Sequence, residues 1–89
     1  MEEQYNETVS WYKYRFMKIT RTQFKFIINN DIEKLVSYLM EDYGMSMIDA
    51  FGKVYNSQIY EKLIDEKTGL YIQSPAYQYD YLKEELGLS

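Results

Sequence analysis

Apolar residues recur at steps of three and four between residues 24 and 43, the spacing that places them along one side of an α-helix. This stripe consists of Phe24, Ile27, Ile28, Ile32, Leu35, Val36, Leu39, Met40 and Tyr43. Thr20 or Thr22 can cap the start of the helix, and Gly44 can end it, because glycine adopts a left-handed conformation without a steric clash. The pattern predicts one long helix over residues 22–43.

Two shorter helices are predicted after Gly44. Ser46 can cap the first of them, and Asp49 lies where an acid favours the positive end of a helix. Its apolar positions, which run to about Tyr55, are Met47, Ala50, Phe51, Val54 and Tyr55. Asn56-Ser57 resembles a break with a new cap, so we expect a third helix that ends near Glu66. Its apolar positions are Ile59, Tyr60, Leu63 and Ile64.

The C-terminal part of the chain predicts a turn at residues 67–69, an extended connector at residues 70–73 and a last helix. Ser74-Pro75 is a strong start signal, because proline fits the first helical position, and Gly87 can end the helix after Leu86. The tyrosines at 77, 79 and 81 alternate with polar residues in the two-residue period of a strand. The helix is favoured because residues 83–86 are good helix formers.

The first residues behave differently, since residues 12–16 alternate aromatic and basic side chains, which suits a strand or an extended arm. The chain therefore divides into an N-terminal aromatic and basic arm, residues 1–21, and a helical domain, residues 22–89. The predicted fold is all-α, a small domain of three to four helices with an extended or strand-like arm. We expect the helix over 22–43 to pack across a layer formed by 47–65 and 75–86.

The chain of 89 residues contains neither cysteine nor histidine. Disulfides and thiolate zinc sites are thereby excluded, together with the commonest general base and the commonest zinc ligand. Paired acids occur at Glu41-Asp42, Asp65-Glu66 and Glu84-Glu85, but adjacent residues on a helix point in different directions rather than into one cleft. We expect no enzymatic activity, no cofactor and no metal ion.

The net charge of −4 is distributed unevenly. Residues 8–30 carry five bases and no acid, whereas residues 31–89 carry eleven acids and five bases. Bases interleaved with aromatic residues suit single-stranded nucleic acid, and the candidate contacts are Trp11, Lys13, Arg15, Lys18 and Arg21. The alternative is that this basic arm packs on the acidic body of its own chain or of a neighbouring copy, and charge complementarity favours it.

Two predicted helices joined by the short segment Gly44-Met45-Ser46 also have the order of a helix-turn-helix. The outward polar positions of its second helix would be Asp49, Lys53 and Asn56, and none of these is an arginine that could recognise guanine. A nucleic-acid-binding regulator is therefore the second hypothesis rather than the first.

Eleven tyrosines and five methionines exceed what the core of so small a domain can hide. Both residue types suit protein interfaces, because tyrosine offers a large area with little entropy to lose and methionine adapts its shape. The predicted interface residues are Tyr55, Tyr60, Tyr71, Tyr77, Tyr79 and Tyr81. The hypothesis is a protein–protein interaction module whose partner is another protein or a second copy, with a dimer or other homo-oligomer in the latter case.

No apolar run approaches the length of about 18 residues that spans a bilayer, and the start Met1-Glu2-Glu3 is acidic where a signal peptide is basic. We therefore expect no membrane association and a cytoplasmic location.

Several segments carry a resemblance to a known kind of protein: Ser46-Met47-Ile48-Asp49-Ala50, Tyr55-Asn56-Ser57, Tyr60, Leu63 and Thr68-Gly69-Leu70-Tyr71-Ile72-Gln73-Ser74. In these features residues from about 24 to 86 resemble a family of short uncharacterised bacterial proteins, in which helices are joined by an Asn-Ser break and a Thr-Gly-Leu-Tyr turn. Such proteins are similar in size and character to the products of small genes beside toxin–antitoxin-like cassettes. The resemblance implies an antitoxin-like, regulatory or neutralising partner role and supplies no catalytic residue.

Overall fold

The computed structural model describes residues 19–88, which form four α-helices and two short 3-10 helices. The α-helices are α1 (Arg21–Tyr43), α2 (Met47–Tyr55), α3 (Gln58–Leu63) and α4 (Pro75–Leu86). The 3-10 helices, Glu66–Thr68 and Leu70–Ile72, connect α3 to α4. No strand occurs within the described range, so the all-α prediction is confirmed for it. Residues 1–18, and with them most of the predicted arm, lie outside that range.

Each of these four α-helices begins at a side-chain cap. The capping residues of α1 to α4 are Thr20, Ser46, Ser57 and Ser74, and each accepts a hydrogen bond from a backbone N–H of the first turn. Gln23 returns a bond to Thr20, which completes a capping box. Gly44 and Gly87 end α1 and α4 with φ of 66° and 74°. These bounds agree with the prediction to within one residue for α1, α2 and α4.

The segment between α3 and α4 differs from the prediction. α3 ends at Leu63 rather than near Glu66, because Asp65 caps a new turn by accepting a hydrogen bond from the Lys67 N–H at 3.1 Å. The predicted extended connector at 70–73 is also wrong. Gly69, with φ of 72°, reverses the chain, and the Leu70–Ile72 helix follows at once. Residues 77–81, whose alternation also fitted a strand, lie in α4.

The core lies along one side of α1, where α2, α4 and the Leu70–Ile72 helix pack against it. This agrees with the predicted arrangement of a long helix across a layer of short ones. The buried apolar side chains are Phe24, Ile28, Ile32, Leu35, Val36, Leu39, Ala50, Val54, Ile59, Leu63, Tyr71, Tyr79 and Leu82. Ile19, which precedes α1, also packs against this cluster.

Glu85 joins the end of α4 to the start of α3. Its two carboxylate oxygens accept hydrogen bonds from the N–H groups of Gln58 at 2.7 Å and Ile59 at 3.3 Å. A carboxylate at this place satisfies free donors and complements the positive end of the helix dipole. The bond therefore fixes α3, and Tyr60 on it, relative to α4.

We expect Glu85→Ala to lower the free energy of unfolding by about 1 kcal/mol, the usual cost of losing a helix cap. Glu84→Ala is the matched control, because Glu84 is the exposed neighbour of Glu85 and caps no helix. Chemical denaturation of both variants gives the comparison. Equal stability of the two variants would show that the long-range cap contributes nothing.

Candidate interaction surface

The six tyrosines predicted at an interface divide into three groups. Tyr71 and Tyr79 are buried, with 6% and 7% of their surface exposed. Tyr55 is exposed and Tyr60 half-buried on α2 and α3, whereas Tyr77 and Tyr81 are exposed on α4. The structure therefore does not bring the six together into one patch.

Tyr71 and Tyr79 serve the core of this chain, which corrects their assignment to a partner interface. The Tyr71 ring packs edge-on against Phe24, with 4.9 Å between centroids. The Tyr79 ring lies 4.8 Å from that of Tyr38, and its hydroxyl donates a hydrogen bond to Asp42 Oδ2 at 2.8 Å. Burial, and then the Asp42 carboxylate, raise the pKa of Tyr79 above its ordinary value, so the hydroxyl stays a donor.

The largest exposed apolar side chains on neighbouring turns belong to α2. Met47, Ile48 and Tyr55 expose 57%, 83% and 46% of their surface, whereas Ala50 and Val54 on the same helix are fully buried. Gly52 lies between Ile48 and Tyr55, and a Cβ atom built on it meets no heavy atom within 4 Å. Met47, Ile48, Gly52 and Tyr55 together are called the outer face of α2 below.

Three aromatic rings extend this face towards α3. The rings of Phe51 and Tyr55 are stacked, with 5.7 Å between centroids and 14° between planes. Tyr60 then meets Tyr55 edge-on at 5.0 Å. These three residues form the aromatic ladder. The sequence predicted Tyr55 and Tyr60 at an interface, whereas it gave Phe51 only as an apolar position of α2, and Phe51 also packs partly against the core.

Beyond Tyr60 the surface continues into an open groove of about 420 Å³ between α1 and α3. Its lining residues are Arg21, Phe24, Lys25, Ile28, Asn29, Tyr60 and Ile64. Arg21 is the one predicted nucleic-acid contact within residues 19–88, and it lies at this groove. Trp11, Lys13, Arg15 and Lys18 are outside the described residues.

The exposed tyrosines of α4 form a separate patch. The Tyr77 and Tyr81 rings lie 5.1 Å apart and border a groove of about 450 Å³ with Asp80, Lys83 and Glu84. Lys83 Nζ lies 3.8 Å from Asp80 Oδ1 and 4.8 Å from the centroid of the Tyr79 ring. Three of the five residues that line this groove are charged, so the outer face of α2 is the better candidate for an apolar interface.

A buried polar pair, Asp31 and Gln78, lies between α1 and α4. Asp31 is 5% exposed, and its Oδ2 accepts a hydrogen bond from Gln78 Nε2 at 3.0 Å. The same Nε2 donates to the carbonyl oxygens of Leu70 at 3.0 Å and Gln73 at 3.1 Å. Burial raises the pKa of Asp31 to about 6, although the Gln78 hydrogen bond opposes the shift. The pair ties the turn before α4 to α1.

Sequence reasoning missed this pair, although a signal was present. Asp31 is three residues after Ile28 and four before Leu35, so it occupies a position on the apolar stripe of α1. An acid on such a stripe needs a buried partner. The sequence does not say that Gln78, which is 47 positions away, is that partner.

Members of the paired acids have structural roles. Asp42 accepts the Tyr79 hydrogen bond, Asp65 caps a 3-10 helix and Glu85 caps α3. Among residues 19–88 no three carboxylates gather closely enough to hold a metal ion. Within the same residues no helix is both long and apolar enough to cross a membrane.

Protein-family models, curated proteins and solved structures were each compared with this chain, and none matches it. Its function is therefore inferred from its own surface.

Proposed function

We propose that this chain is a protein–protein interaction module that binds its partner through the outer face of α2 and the aromatic ladder. The observation that carries the proposal is Ile48, which exposes 83% of its surface between the exposed Met47 and Tyr55. A single exposed apolar residue needs no explanation, but a contiguous patch of several hundred Å² usually marks a binding site.

The composition of the face supports the same reading. Aromatic residues and methionine are enriched at the centres of protein interfaces, and charged residues are depleted there. The outer face of α2 and the aromatic ladder together contain no charged residue. The partner role implied by the bacterial family that the sequence resembles, an antitoxin-like or accessory regulatory factor in the cytoplasm, is compatible with such a surface and belongs to the same proposal.

Ile48→Glu tests the proposal, because it places a charge at the centre of the apolar face. We expect this variant, used as bait in the cells that produce the protein, to lose at least about 90% of the partner captured by the unaltered chain, since a central interface anchor is worth 2 kcal/mol or more. Phe26→Glu is the matched control. Phe26 is 75% exposed on α1, on the side away from Phe24 and Ile28.

Both variants are expected to fold, because neither side chain belongs to the core. Circular dichroism and thermal unfolding establish that before the capture experiment. Equal capture by the Ile48→Glu and Phe26→Glu variants would contradict the proposal, since binding would then not depend on α2.

Nucleic-acid binding remains the second candidate, and one observation favours it: Arg21 and Lys25 border the groove that Tyr60 also lines. Against it, the exposed residues of α2 are the apolar Met47, Ile48 and Tyr55 with one acid and one base, Asp49 and Lys53, whereas a recognition helix needs polar side chains that reach base edges. A gel-shift series with single-stranded and duplex DNA at several salt concentrations decides between them. Binding that weakens steeply with salt, and that Arg21→Glu reduces, would favour nucleic acid.

A further inference from the structure

Gly52 lies in the outer face of α2, and neither its backbone conformation nor its neighbours in this chain require a glycine there. A Cβ atom at this position has open space around it, and the backbone is an ordinary helix. Glycine in a helix interior is less favourable than alanine by about 1 kcal/mol. A bare backbone on an exposed helix face allows another helix to approach closely, with Ile48 and Tyr55 beside it.

The charges of α2 indicate which helix this is. Asp49 and Lys53 are four residues apart, so they lie on the same flank of α2, while Met47 and Phe51 lie on the other. Neither charge has an ion-pair partner among residues 19–88. Within the chain, Asp49 complements the positive first turn of α2 and Lys53 complements its negative last turn.

We propose that the partner is a second copy of this chain, and that two α2 helices pack antiparallel about a two-fold axis near Phe51 and Gly52. In that arrangement Asp49 of each copy faces Lys53 of the other, because residues equally far from the axis on the same flank become neighbours. Ile48 of one copy then lies beside Tyr55 of the other. A parallel pairing would instead place the charged flank of one copy against the Met47 and Phe51 flank of the other.

This inference rests on the proposed function and narrows it to self-association. A nine-residue helix offers less than the roughly 800 Å² per partner of a typical stable interface, even when the aromatic ladder contributes. The dimer is therefore weak, with a dissociation constant on the order of 10 μM.

Single charge reversals provide the sharpest test. Asp49→Lys places two bases on this flank, and Lys53→Asp places two acids there. In a dimer of either variant, like charges therefore face each other at both contacts between residues 49 and 53. We expect sedimentation equilibrium to show about tenfold weaker self-association for each variant. An equimolar mixture of the two variants restores opposite charges at both contacts. It therefore forms a mixed dimer about as strong as that of the unaltered chain, which native mass spectrometry distinguishes by mass.

Gly52→Ala separates this interface from the stability of the chain. Alanine favours the helix and fits the open space, so the melting temperature of the variant rises. The added methyl group holds the second helix away, so self-association falls about tenfold. Loss of association through unfolding cannot mimic this result, because the two effects have opposite signs.

The outcomes also separate this inference from the proposed function. A chain that stays monomeric at high concentration, or a mixture of charge variants no stronger than either alone, would overturn antiparallel self-pairing. If Ile48→Glu still abolished partner capture in that case, the face would bind a different protein and the proposed function would stand. If Ile48→Glu changed neither measurement, both would fail.

Discussion

We expect Asp31→Asn to raise the free energy of unfolding at pH 7 by about 2 kcal/mol, because the asparagine removes the need to bury a charge. The pKa of Asp31 is raised from 3.8 to about 6 in the folded chain. Between these values the folded state keeps the proton that the unfolded state has released. The contribution of Asp31 to stability therefore falls as the pH rises from about 4 to about 6, and it stays low above that range.

Urea denaturation at pH 4, 5, 6 and 7 measures this effect. The difference in stability between the Asp31→Asn variant and the unaltered chain grows across that window and is largest at pH 7. Glu33→Gln is the control, since Glu33 is an exposed acid on the same helix, and its stability change should stay within about 0.5 kcal/mol. A difference that does not vary with pH would show that Asp31 does not take up a proton on folding.

We expect Gln78→Glu to be the most destabilising of the proposed substitutions, at about 4 kcal/mol near neutral pH. The Gln78 amide is fully buried, and its Nε2 faces three acceptors: Asp31 Oδ2 and two backbone carbonyl oxygens. A glutamate of almost the same size has no N–H group to donate to them. It would also place a second carboxylate against Asp31.

Gln78→Met separates the loss of the donor from the added charge. Methionine fills a similar volume and leaves the same three acceptors without the Nε2 donor, so we expect a loss of about 2 kcal/mol. Acid lessens the loss for the glutamate variant, because protonation removes the repulsion, and has little such effect on the methionine variant. Equal losses for both variants at pH 7 would mean that charge plays no part at this position.

The helix bounds could be predicted because local signals fix them. Thr20, Ser46 and Ser74 cap their helices as expected, and Gly44 and Gly87 end theirs. Such caps depend on hydrogen bonds within one turn, so they are visible in the sequence. The 3-10 helix at Leu70–Ile72 was not predicted, because it depends on the reversal at Gly69 and on the burial of Tyr71.

The orientation of α2 could not be predicted for a different reason. Its apolar residues form one broad face, with Asp49 and Lys53 on the other side, so the pattern does not say which part of that face is buried. The small residues Ala50 and Val54 are buried in the structure, and the larger Met47 and Tyr55 are exposed. The candidate face is thus a tertiary result, set by how closely α2 packs on α1.

The same limit applies to the tyrosines. An excess of tyrosine indicates that some of the rings lie outside the core, but it does not say which ones. Tyr79 and Tyr81 are two residues apart on α4, yet Tyr79 is buried and Tyr81 is exposed. Tyr79 lies three residues before the buried Leu82, packs against Tyr38 and donates a hydrogen bond to Asp42. Composition therefore predicted an interface without identifying its residues.

Hydroxyl-radical footprinting in the cells that produce the protein tests most directly whether another chain covers the outer face of α2. Dilute purified protein serves as the reference, in which Met47, Tyr55 and Phe26 are all exposed. We expect Met47 and Tyr55 to be protected in the cell, while Phe26 reacts as it does in the reference. Equal labelling of Met47 and Tyr55 in both settings would show that no chain covers this face.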